Sequence, residues 1–379
     1  MDTPDISKLP LEVLVHIALQ MDIPTVLQFC QSSKRIDRKV CRRRHFWRLL
    51  LAKDNIVTEP ELIYNNGKFN WLLYLILKYP DKEWDWSGLS VNSNITWEII
   101  QANLNKPWNW YWISQNPNIT WEIIQKNFDK KWHWDGLSIN PNITREIIEA
   151  NPDKKWNWSE LSANLNITWK FIEANPDKDW NWVEISADIT WEIVKANPDK
   201  PWNWYMLSTN PNITWEIIQA NPDKNWNWSG LSWNSNITWE IIQKNLDKPW
   251  DWGGLSRNPN ITWEIIQANS DKDWKWFWLS RNPNITWEIV RDNPDKDWNW
   301  NTISQNPNII TWEIVQENPY KPWNWYSLSK NPNITWEIIQ KNPDRRWSWY
   351  GLSENPNITW EIVQTNPDRN WDWNALSWK

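Results

Sequence analysis

The sequence predicts an all-α protein, in which a small N-terminal helical module is followed by an α-solenoid of about 13 short helix-pair repeats. The main observation is a block with the consensus Asn-Pro-Asn-Ile-Thr-Trp-Glu-Ile-Ile, followed each time by Trp-x-Trp-x-x-Leu-Ser. A short fixed period indicates stacked repeats, each of which completes its hydrophobic core only against its neighbours. The second observation is that the first 50 residues do not repeat, which indicates a separate module.

The period is easiest to follow at the Trp after the Thr of each block. The usual step is 24 residues, but it is 22 before Trp191 and 25 before Trp312, and Arg145 fills one position that lacks the Trp. The Trp residues are Trp97, Trp121, Trp169, Trp191, Trp215, Trp239, Trp263, Trp287, Trp312, Trp336 and Trp360. Such a repeat distributes like residues along a line, whereas a catalytic site needs unlike residues at one point. We therefore expect no enzymatic activity in the array.

The block around Trp121 predicts the first helix of a repeat. Thr120 is a good N-cap residue, so a helix is expected over Trp121–Lys126. Ile119 before the cap and Ile124 inside the helix have the spacing of a hydrophobic staple. The helix should end at the following Asn, because Pro comes next in most copies and disfavours helix in the residue before it.

The Trp-x-Trp motif predicts the start of the second helix. Its middle residue is usually Asn, Asp or Ser, all of which cap helices well, as Asn109 does; His133 and Lys275 are the exceptions. Trp108 and Ile113 occupy the staple positions around this cap. Helices of about two turns are marginal alone, so burial against neighbouring repeats must stabilise them.

Three segments follow from these patterns. They are an N-terminal module over residues 1–50, a connector over 51–66, and the tandem repeats over 67–379. The repeats begin with a divergent helix, Trp71 to Lys78, which we interpret as a capping unit.

The residues that recur in every repeat have structural and functional interpretations. The Asn-Ile-Thr triplets match the glycosylation sequon, but their Thr is already explained as a helix cap. Rows of Trp would stack bases or sugars if they were exposed, although Trp at helical spacing is more typical of a shared core. The Ser after each Leu and the Asn of each Asn-Pro are expected to form hydrogen-bonded ladders along the array.

The positions that vary between repeats are the candidates for binding a target protein. They follow each Trp-x-Trp or each Leu-Ser, and we expect Trp112, Trp233 and Trp278 to be more exposed than the recurring Trp rows. Unselected drift on the surface would produce the same variation. The candidate residues are Tyr111, Trp112, Tyr205, Trp233, Arg257, Phe277, Trp278, Arg281, Tyr326 and Tyr350.

Composition narrows the function classes. Residues 1–50 hold 9 Lys and Arg against 5 Asp and Glu, whereas the remainder holds 31 against 41, and an acidic array is a poor match for nucleic-acid phosphates. No apolar run is long enough to span a membrane, and the start lacks a signal-peptide layout, so we expect the cytoplasm or nucleus. Cys30 and Cys41 are then expected to be reduced thiols. No cofactor motif or metal-type spacing of Cys and His is present.

Residues 8–50 predict three or four short helices with a distinctive order of anchors. In chain order these are Leu9, Pro10, Glu12, Val13, Leu14, Ile17, Leu27, Cys30, Ser33-Lys34-Arg35 and Phe46-Trp47-Arg48-Leu49. In this order the module resembles the F-box over about 40 residues, although Arg42-Arg43-Arg44 is more basic than usual. The array resembles the Asn-Pro-Asn-Ile-Thr repeats that follow F-box-like segments in proteins of giant DNA viruses of amoebae.

The resemblance implies a function. In F-box proteins the module docks on a Skp1-type adaptor of a cullin–RING ubiquitin ligase, and the downstream repeats hold the substrate. The resemblance implies that Trp47 packs the core of the module, and that the contacts to the adaptor come from Leu9, Pro10, Val13, Leu14, Ile17 and Leu27. We therefore expect a substrate-recruiting adaptor that acts in host cytoplasm if it is viral. Two alternatives are a repeat scaffold with no link to a ligase, and a Trp-rich array that binds carbohydrates or nucleobases.

Overall fold

The computed structural model describes residues 6–65 and 68–379. Residues 1–5 of the predicted N-terminal module lie outside the described residues. So do Asn66 and Gly67, which form the predicted boundary between connector and repeats. The described chain is an all-α solenoid, as the repeats predict.

The N-terminal module is a set of short helices. They are a 3₁₀ turn (Ile6–Lys8), α1 (Leu11–Gln20), α2 (Ile23–Gln31), α3 (Lys34–Ile36) with a following π-helical turn (Asp37–Cys41), and α4 (Arg44–Ala52). Helix α2 begins at Ile23 because Asp22 caps it: the Asp22 carboxylate accepts a hydrogen bond from the Thr25 N–H at 2.8 Å. Pro24 fits within this first turn, where no intrahelical N–H bond is lost.

The core of the module surrounds Trp47 and the two cysteines. Trp47 is buried, and its indole N–H donates to the Cys41 carbonyl at 2.6 Å. Cys30 and Cys41 form a disulfide, which corrects the expectation of free thiols. The reason is tertiary packing: the end of α2 lies against the π-helical turn, which brings the two Cα atoms to 5.9 Å.

The predicted connector contains regular structure. It carries α5 (Pro60–Ile63) and the strand β1 (Tyr64–Asn65), which pairs antiparallel with β2 (Lys68–Phe69). Tyr64 stacks on Trp47 with ring centroids 4.6 Å apart. The hairpin therefore belongs to the packing of the module and is more than a linker.

Helix α6 (Trp71–Lys78) is joined to the module by a polar network. The Tyr74 hydroxyl donates to the Asp54 carboxylate at 2.5 Å, and the Lys78 ammonium lies 3.0 Å from the same carboxylate. Burial, together with the Asp54 carboxylate, raises the pKa of Tyr74. This network ties the end of the module to the first helix of the repeat region.

The repeats alternate two kinds of short helix: even-numbered helices begin after the Thr, and odd-numbered helices begin at the second Trp of Trp-x-Trp. In chain order they are α7 (Trp86–Val91), α8 (Trp97–Ala102), α9 (Trp110–Gln115), α10 (Trp121–Lys126), α11 (Trp134–Ile139), α12 (Arg145–Ala150), α13 (Trp158–Leu161), α14 (Trp169–Ala174), α15 (Trp182–Asp188), α16 (Trp191–Ala196), α17 (Trp204–Thr209), α18 (Trp215–Ala220), α19 (Trp228–Trp233), α20 (Trp239–Lys244), α21 (Trp252–Arg257), α22 (Trp263–Ala268), α23 (Trp276–Leu279), α24 (Trp287–Asp292), α25 (Trp300–Gln305), α26 (Trp312–Glu317), α27 (Trp325–Lys330), α28 (Trp336–Lys341), α29 (Trp349–Glu354), α30 (Trp360–Thr365) and α31 (Trp373–Ser377).

Side-chain caps form at most Trp-x-Trp motifs, as predicted, but at fewer than half of the Thr positions. The Thr residues without a side-chain cap bond are Thr96, Thr144, Thr168, Thr190, Thr214, Thr262 and Thr286. The Thr120 side chain accepts from the Ile123 N–H, and the Asn109 side chain accepts from two backbone N–H groups of α9. His133 and Lys275 make no side-chain cap bond, in keeping with their residue types.

The Trp-x-Trp motif links consecutive repeats. The first Trp is mostly buried; for example, the Trp226 indole N–H donates to the Asn221 carbonyl at the end of α18 at 2.8 Å. The second Trp is half-buried and meets the first Trp of the next repeat edge to face, as Trp204 meets Trp226 at 5.3 Å. These rows form the shared core of neighbouring repeats.

The predicted ladders of Ser and Asn are present. Asn234 is completely buried, and its side-chain amide donates to the carbonyls of Ser208, Asn210 and Ile213 in the preceding repeat at 3.0, 3.0 and 3.2 Å. The Ser208 hydroxyl accepts from the Asn227 N–H at 2.9 Å. The side chains of the ladders form hydrogen bonds with buried backbone groups in the turns, where the hydrogen-bond pattern of a regular helix is absent.

The extra residue before Trp312 interrupts the Asn ladder. Ile309 and Ile310 are both buried, so the insertion is absorbed inside the turn. Within the described residues the Asn306 amide donates only to the Ser280 carbonyl, at 3.3 Å, and Asn306 is half-buried. The repeat that contains the insertion is therefore less tightly joined to its predecessor.

The chain divides into two compact units. One contains the residues up to Lys131 together with Ile358–Lys379, and the other contains Trp132–Asn357. The N-terminal module thus shares a unit with the first repeats and the last repeat.

Within the first unit, the last repeat packs against the first repeat. Helix α31 lies on α7, and the Ser377 hydroxyl accepts from the Asp85 N–H at 2.9 Å, as Ser208 does for Asn227. Trp373 meets Trp84 edge to face at 4.9 Å. Helix α6, which the sequence analysis interpreted as part of a capping unit, is in contact with α30.

Candidate binding surfaces

The first candidate surface lies on α1, where the resemblance places the contacts to an adaptor. Pro10 is exposed and Val13 is 41% exposed, while Leu9 and Ile17 are half-buried. Leu14 is completely buried, so it packs the core of the module and adds nothing to its accessible surface. Helix α1 therefore has apolar side chains on both its inner and its outer face.

Leu27, on α2, is half-buried and completes the set of predicted adaptor contacts. The exposed Ile6 and Leu49 are further apolar groups of the same module that were not among the predicted adaptor contacts.

The basic run of the module is partly neutralised. Arg42 pairs with Asp37 at 2.8 Å, Arg44 pairs with Glu61, and Arg43 is exposed. These exposed ion pairs leave the run with less free positive charge for binding an anion.

The second candidate surface is formed by the variable positions of the odd-numbered helices. Among the predicted target-binding residues, Tyr205, Phe277, Tyr326 and Tyr350 are exposed apolar groups, and Arg257 and Arg281 are exposed. Tyr111, Trp112, Trp233 and Trp278 are half-buried. The three variable Trp residues are more exposed than the first Trp of most pairs, as expected, and they lie in the same half-buried range as the second Trp of most pairs. The rings are covered because they contact one another and neighbouring repeats.

Two tyrosines and an ion pair occupy the region of α27 and α29. Tyr326 and Tyr350 lie with ring centroids 5.7 Å apart, and the Tyr326 hydroxyl donates to the Glu354 carboxylate at 2.9 Å. Burial and this carboxylate raise the pKa of Tyr326 to about 12. Lys330 also pairs with Glu354, at 3.2 Å. The charges of this region are therefore satisfied within the protein.

A different arrangement surrounds α21. Gly253 and Gly254 lie in the middle of this helix, and a Cβ atom added to Gly254 would lie 2.8 Å from the Trp233 indole. A Cβ on Gly253 would lie 3.4 Å from Trp278. The two indoles meet over the glycine pair at 5.1 Å and an interplanar angle of 90°. The glycines weaken the helix by about 0.5–1 kcal/mol each, and they provide room for the two rings.

Two arginines extend this cluster. The Arg257 guanidinium lies 5.9 Å from the Trp233 ring centre and 5.7 Å from that of Trp278. The Arg281 guanidinium lies 4.9 Å from Phe277 and 5.7 Å from Trp278. We call these five residues the aromatic–arginine cluster.

A cavity of about 360 Å³, largely open to solvent, adjoins the two arginines. Its lining residues are Arg257, Arg281, Thr302, Gln305, Asn306 and Pro307. The cavity therefore lies where the Asn ladder is interrupted. Sequence reasoning selected the cluster residues but missed Gly253, Gly254 and Asn306. Six of the seven glycines of the chain occur just after Trp-x-Trp motifs, and this clustering was the available signal.

The described residues contain no group of three or more His, Cys, Asp or Glu side chains placed to hold a metal ion. In the same part of the chain, none of the helices has both the length and the apolar character needed to cross a membrane.

Comparisons add no family to this description. The chain matches no protein-family model, and it has no significant match among curated proteins or solved structures.

Proposed function

We propose that this chain is a non-catalytic adaptor that brings a target protein to a Skp1–cullin–F-box ubiquitin ligase. The N-terminal module binds a Skp1-type adaptor, and the repeat array binds the target. The supporting observation is the outer face of α1, where Pro10 and Val13 are exposed and Ile17 is accessible although Leu14 already fills the core. Accessible apolar side chains clustered on a small module are typical of a site for a protein partner.

The attachment of the module also supports this function. An adaptor that presents a target must hold its two binding partners at a defined separation. The network of Asp54, Tyr74 and Lys78 connects the module to the first helix of the repeat region through short, partly buried polar contacts. Such a network orders the junction better than a flexible linker would.

The surroundings of the Trp rows favour a protein target over a carbohydrate or a nucleobase. The first Trp of each pair is mostly buried, and the second meets the first Trp of the next repeat edge to face, so both rows already contribute to contacts between repeats. The proposal places the protein in the cytoplasm or nucleus, where such ligases act, and in the host cytoplasm for a viral chain.

The test is co-purification of a purified Skp1-type adaptor with the tagged full-length chain. Val13→Asp introduces a charge on the outer face of α1, and we expect it to weaken binding by about tenfold or more, because few apolar anchors carry such an interface. The matched control is Val57→Asp, since Val57 is 97% exposed and lies outside α1. A second variant with Leu9→Ala and Pro10→Ala should weaken binding without adding charge.

Circular dichroism of each variant verifies that the array remains folded. Failure of the wild-type chain to bind any Skp1-type adaptor, or equal losses in Val13→Asp and Val57→Asp, would reject the ligase function. A repeat scaffold would then be the better description.

A further inference from the structure

The aromatic–arginine cluster differs from the rest of the array in its charges. Among the described residues, no carboxylate lies within ion-pair distance of the Arg257 or Arg281 guanidinium. Lys330 occupies the equivalent position after Leu-Ser in a later repeat, and it is paired with Glu354. The two arginines are thus exposed cations without an internal counter-ion, in an array that holds more acidic than basic residues.

The aromatic rings restrict where these cations can point. Arg257 lies near the faces of Trp233 and Trp278, and Arg281 lies near Phe277 and Trp278. Cation–π contacts of this kind hold a guanidinium in place while its N–H groups stay free to donate. A guanidinium held in this way loses less conformational entropy on binding an anion than a flexible lysine does.

The adjoining cavity adds donors for a polar ligand. Gln305 is exposed and carries a side-chain amide, and the interrupted ladder leaves Asn306 with a single amide bond, to Ser280, within the described residues. At the equivalent position of an earlier repeat, the Asn234 amide donates hydrogen bonds to three carbonyls of the preceding repeat. Two guanidinium groups and two amides therefore border one largely open cavity, and the same guanidinium groups lie over the rings of Trp233, Phe277 and Trp278.

We propose that the aromatic–arginine cluster and its cavity bind an acidic peptide segment of the target protein. The two guanidinium groups receive side-chain oxyanions, and the indoles of Trp233 and Trp278 pack against the methylene groups of the peptide. Guanidinium groups bind carboxylates and phosphates in a bidentate manner, so the shared chemistry is an oxyanion carried on a peptide. This inference deepens the proposed function, because it names the region of the array that holds the target and the chemistry of that target.

A peptide fits the charge distribution better than a nucleic acid does. A nucleic acid requires a continuous basic stripe, whereas the array is acidic overall and these two arginines are next to each other in consecutive repeats. An acidic peptide needs only a short cationic site flanked by apolar surface.

Binding can be measured by fluorescence anisotropy with the full-length chain and a labelled peptide of six glutamates. A six-glutamine peptide is the neutral probe, and a phosphoserine peptide of the same length separates phosphate from carboxylate recognition. We expect Arg257→Gln and Arg281→Gln each to weaken binding of the glutamate peptide about tenfold or more. The matched control is Lys330→Gln, which removes the same charge at an equivalent but ion-paired position and should change affinity less than about twofold.

The outcomes separate the site from the ligase link. Tighter binding of the phosphoserine peptide with the same dependence on both arginines supports the site and assigns the oxyanion to phosphate. Equal weakening by Lys330→Gln, equal binding of the glutamine peptide, or stronger competition by single-stranded oligouridine would overturn the proposal. Because no Skp1-type adaptor is present in this assay, peptide binding without adaptor capture would reject the ligase function alone, and the reverse result would reject only the peptide site.

Discussion

The Asn ladder can be tested at Asn234 and Asn306. Their side-chain amides donate different numbers of hydrogen bonds to the preceding repeat. Asn234→Asp replaces the amide that donates to three carbonyls at 3.0–3.2 Å by a carboxylate oxygen at nearly the same place. The side-chain oxygen that accepts from the Asn236 N–H at 2.9 Å is retained. The substitution therefore removes only the N–H donors of the Asn234 side chain. In their place, a carboxylate oxygen faces the carbonyls of Ser208, Asn210 and Ile213.

The expected cost follows from burial. Asn234 is completely buried, and each lost hydrogen bond contributes about 1 kcal/mol. The Asn210 carbonyl still accepts from the Ile213 N–H and the Ile213 carbonyl from the Asn236 amide, so among the described contacts the Ser208 carbonyl is the one left without a donor, which costs about 1–3 kcal/mol more. Since the amide has two hydrogens, the free energy of unfolding should fall by about 3 kcal/mol or more. The introduced carboxyl group has a raised pKa in the folded state, so its penalty should be smaller at low pH, where the neutral form restores one donor.

The matched control is Asn306→Asp. Asn306 keeps the same turn, because its side-chain oxygen accepts from the Asn308 N–H at 3.0 Å, but its amide makes one long bond and the residue is half-buried. Its substitution should cost about 1 kcal/mol or less. Urea unfolding and amide exchange of residues 208–240 and 280–312 measure the two effects. Equal costs at both positions, or wild-type stability of Asn234→Asp, would refute the view that the ladder joins the repeats.

Three further predictions follow from packing, cross-linking and ionisation. Gly230→Ala should destabilise by about 1–3 kcal/mol in urea, because its Cβ would lie 2.8 Å from a backbone carbonyl. Reduction of the Cys30–Cys41 disulfide, which closes a short loop, should lower the stability of the module by about 3 kcal/mol, as measured by thermal unfolding with and without reductant. Tyr326 is held neutral by burial and a carboxylate, so the stability advantage of wild type over Tyr326→Phe should be present below pH 10 and disappear as the pH rises to about 12.

Local patterns accounted for the regular part of the fold. Thr120 and Asn109 cap their helices, and the buried Asn234 forms the predicted ladder, because caps and turns depend on residues close in sequence. A fixed period then placed these local elements against their neighbours. Fold class and repeat architecture were therefore predictable from the sequence.

Contacts between distant segments were not predictable in the same way. The Cys30–Cys41 disulfide depends on how α2 packs against the π-helical turn, and the strands at Tyr64 and Phe69 depend on packing against Trp47. The burial of the variable indoles likewise depends on what the next repeats contain. The candidate residues of the array could be selected from their variation, but the cavity beside them could not.

The variable indoles show how neighbouring repeats constrain each other. Trp233 follows Leu-Ser in its repeat and covers Gly254, the residue before Leu255 in the next repeat. Trp378 follows Leu-Ser in the last repeat and covers Gly88, which holds the same position in the first repeat.

In both cases a large ring at one position is matched by a glycine at the position that it covers, since any Cβ there would lie within 3 Å of the ring. The contact between the last and first repeats therefore follows the same rule of size complementarity as consecutive repeats. A change at either position should be tolerated only when its partner permits it. At these positions of the binding surface, a residue and the residue that it covers in the adjoining repeat must therefore change together.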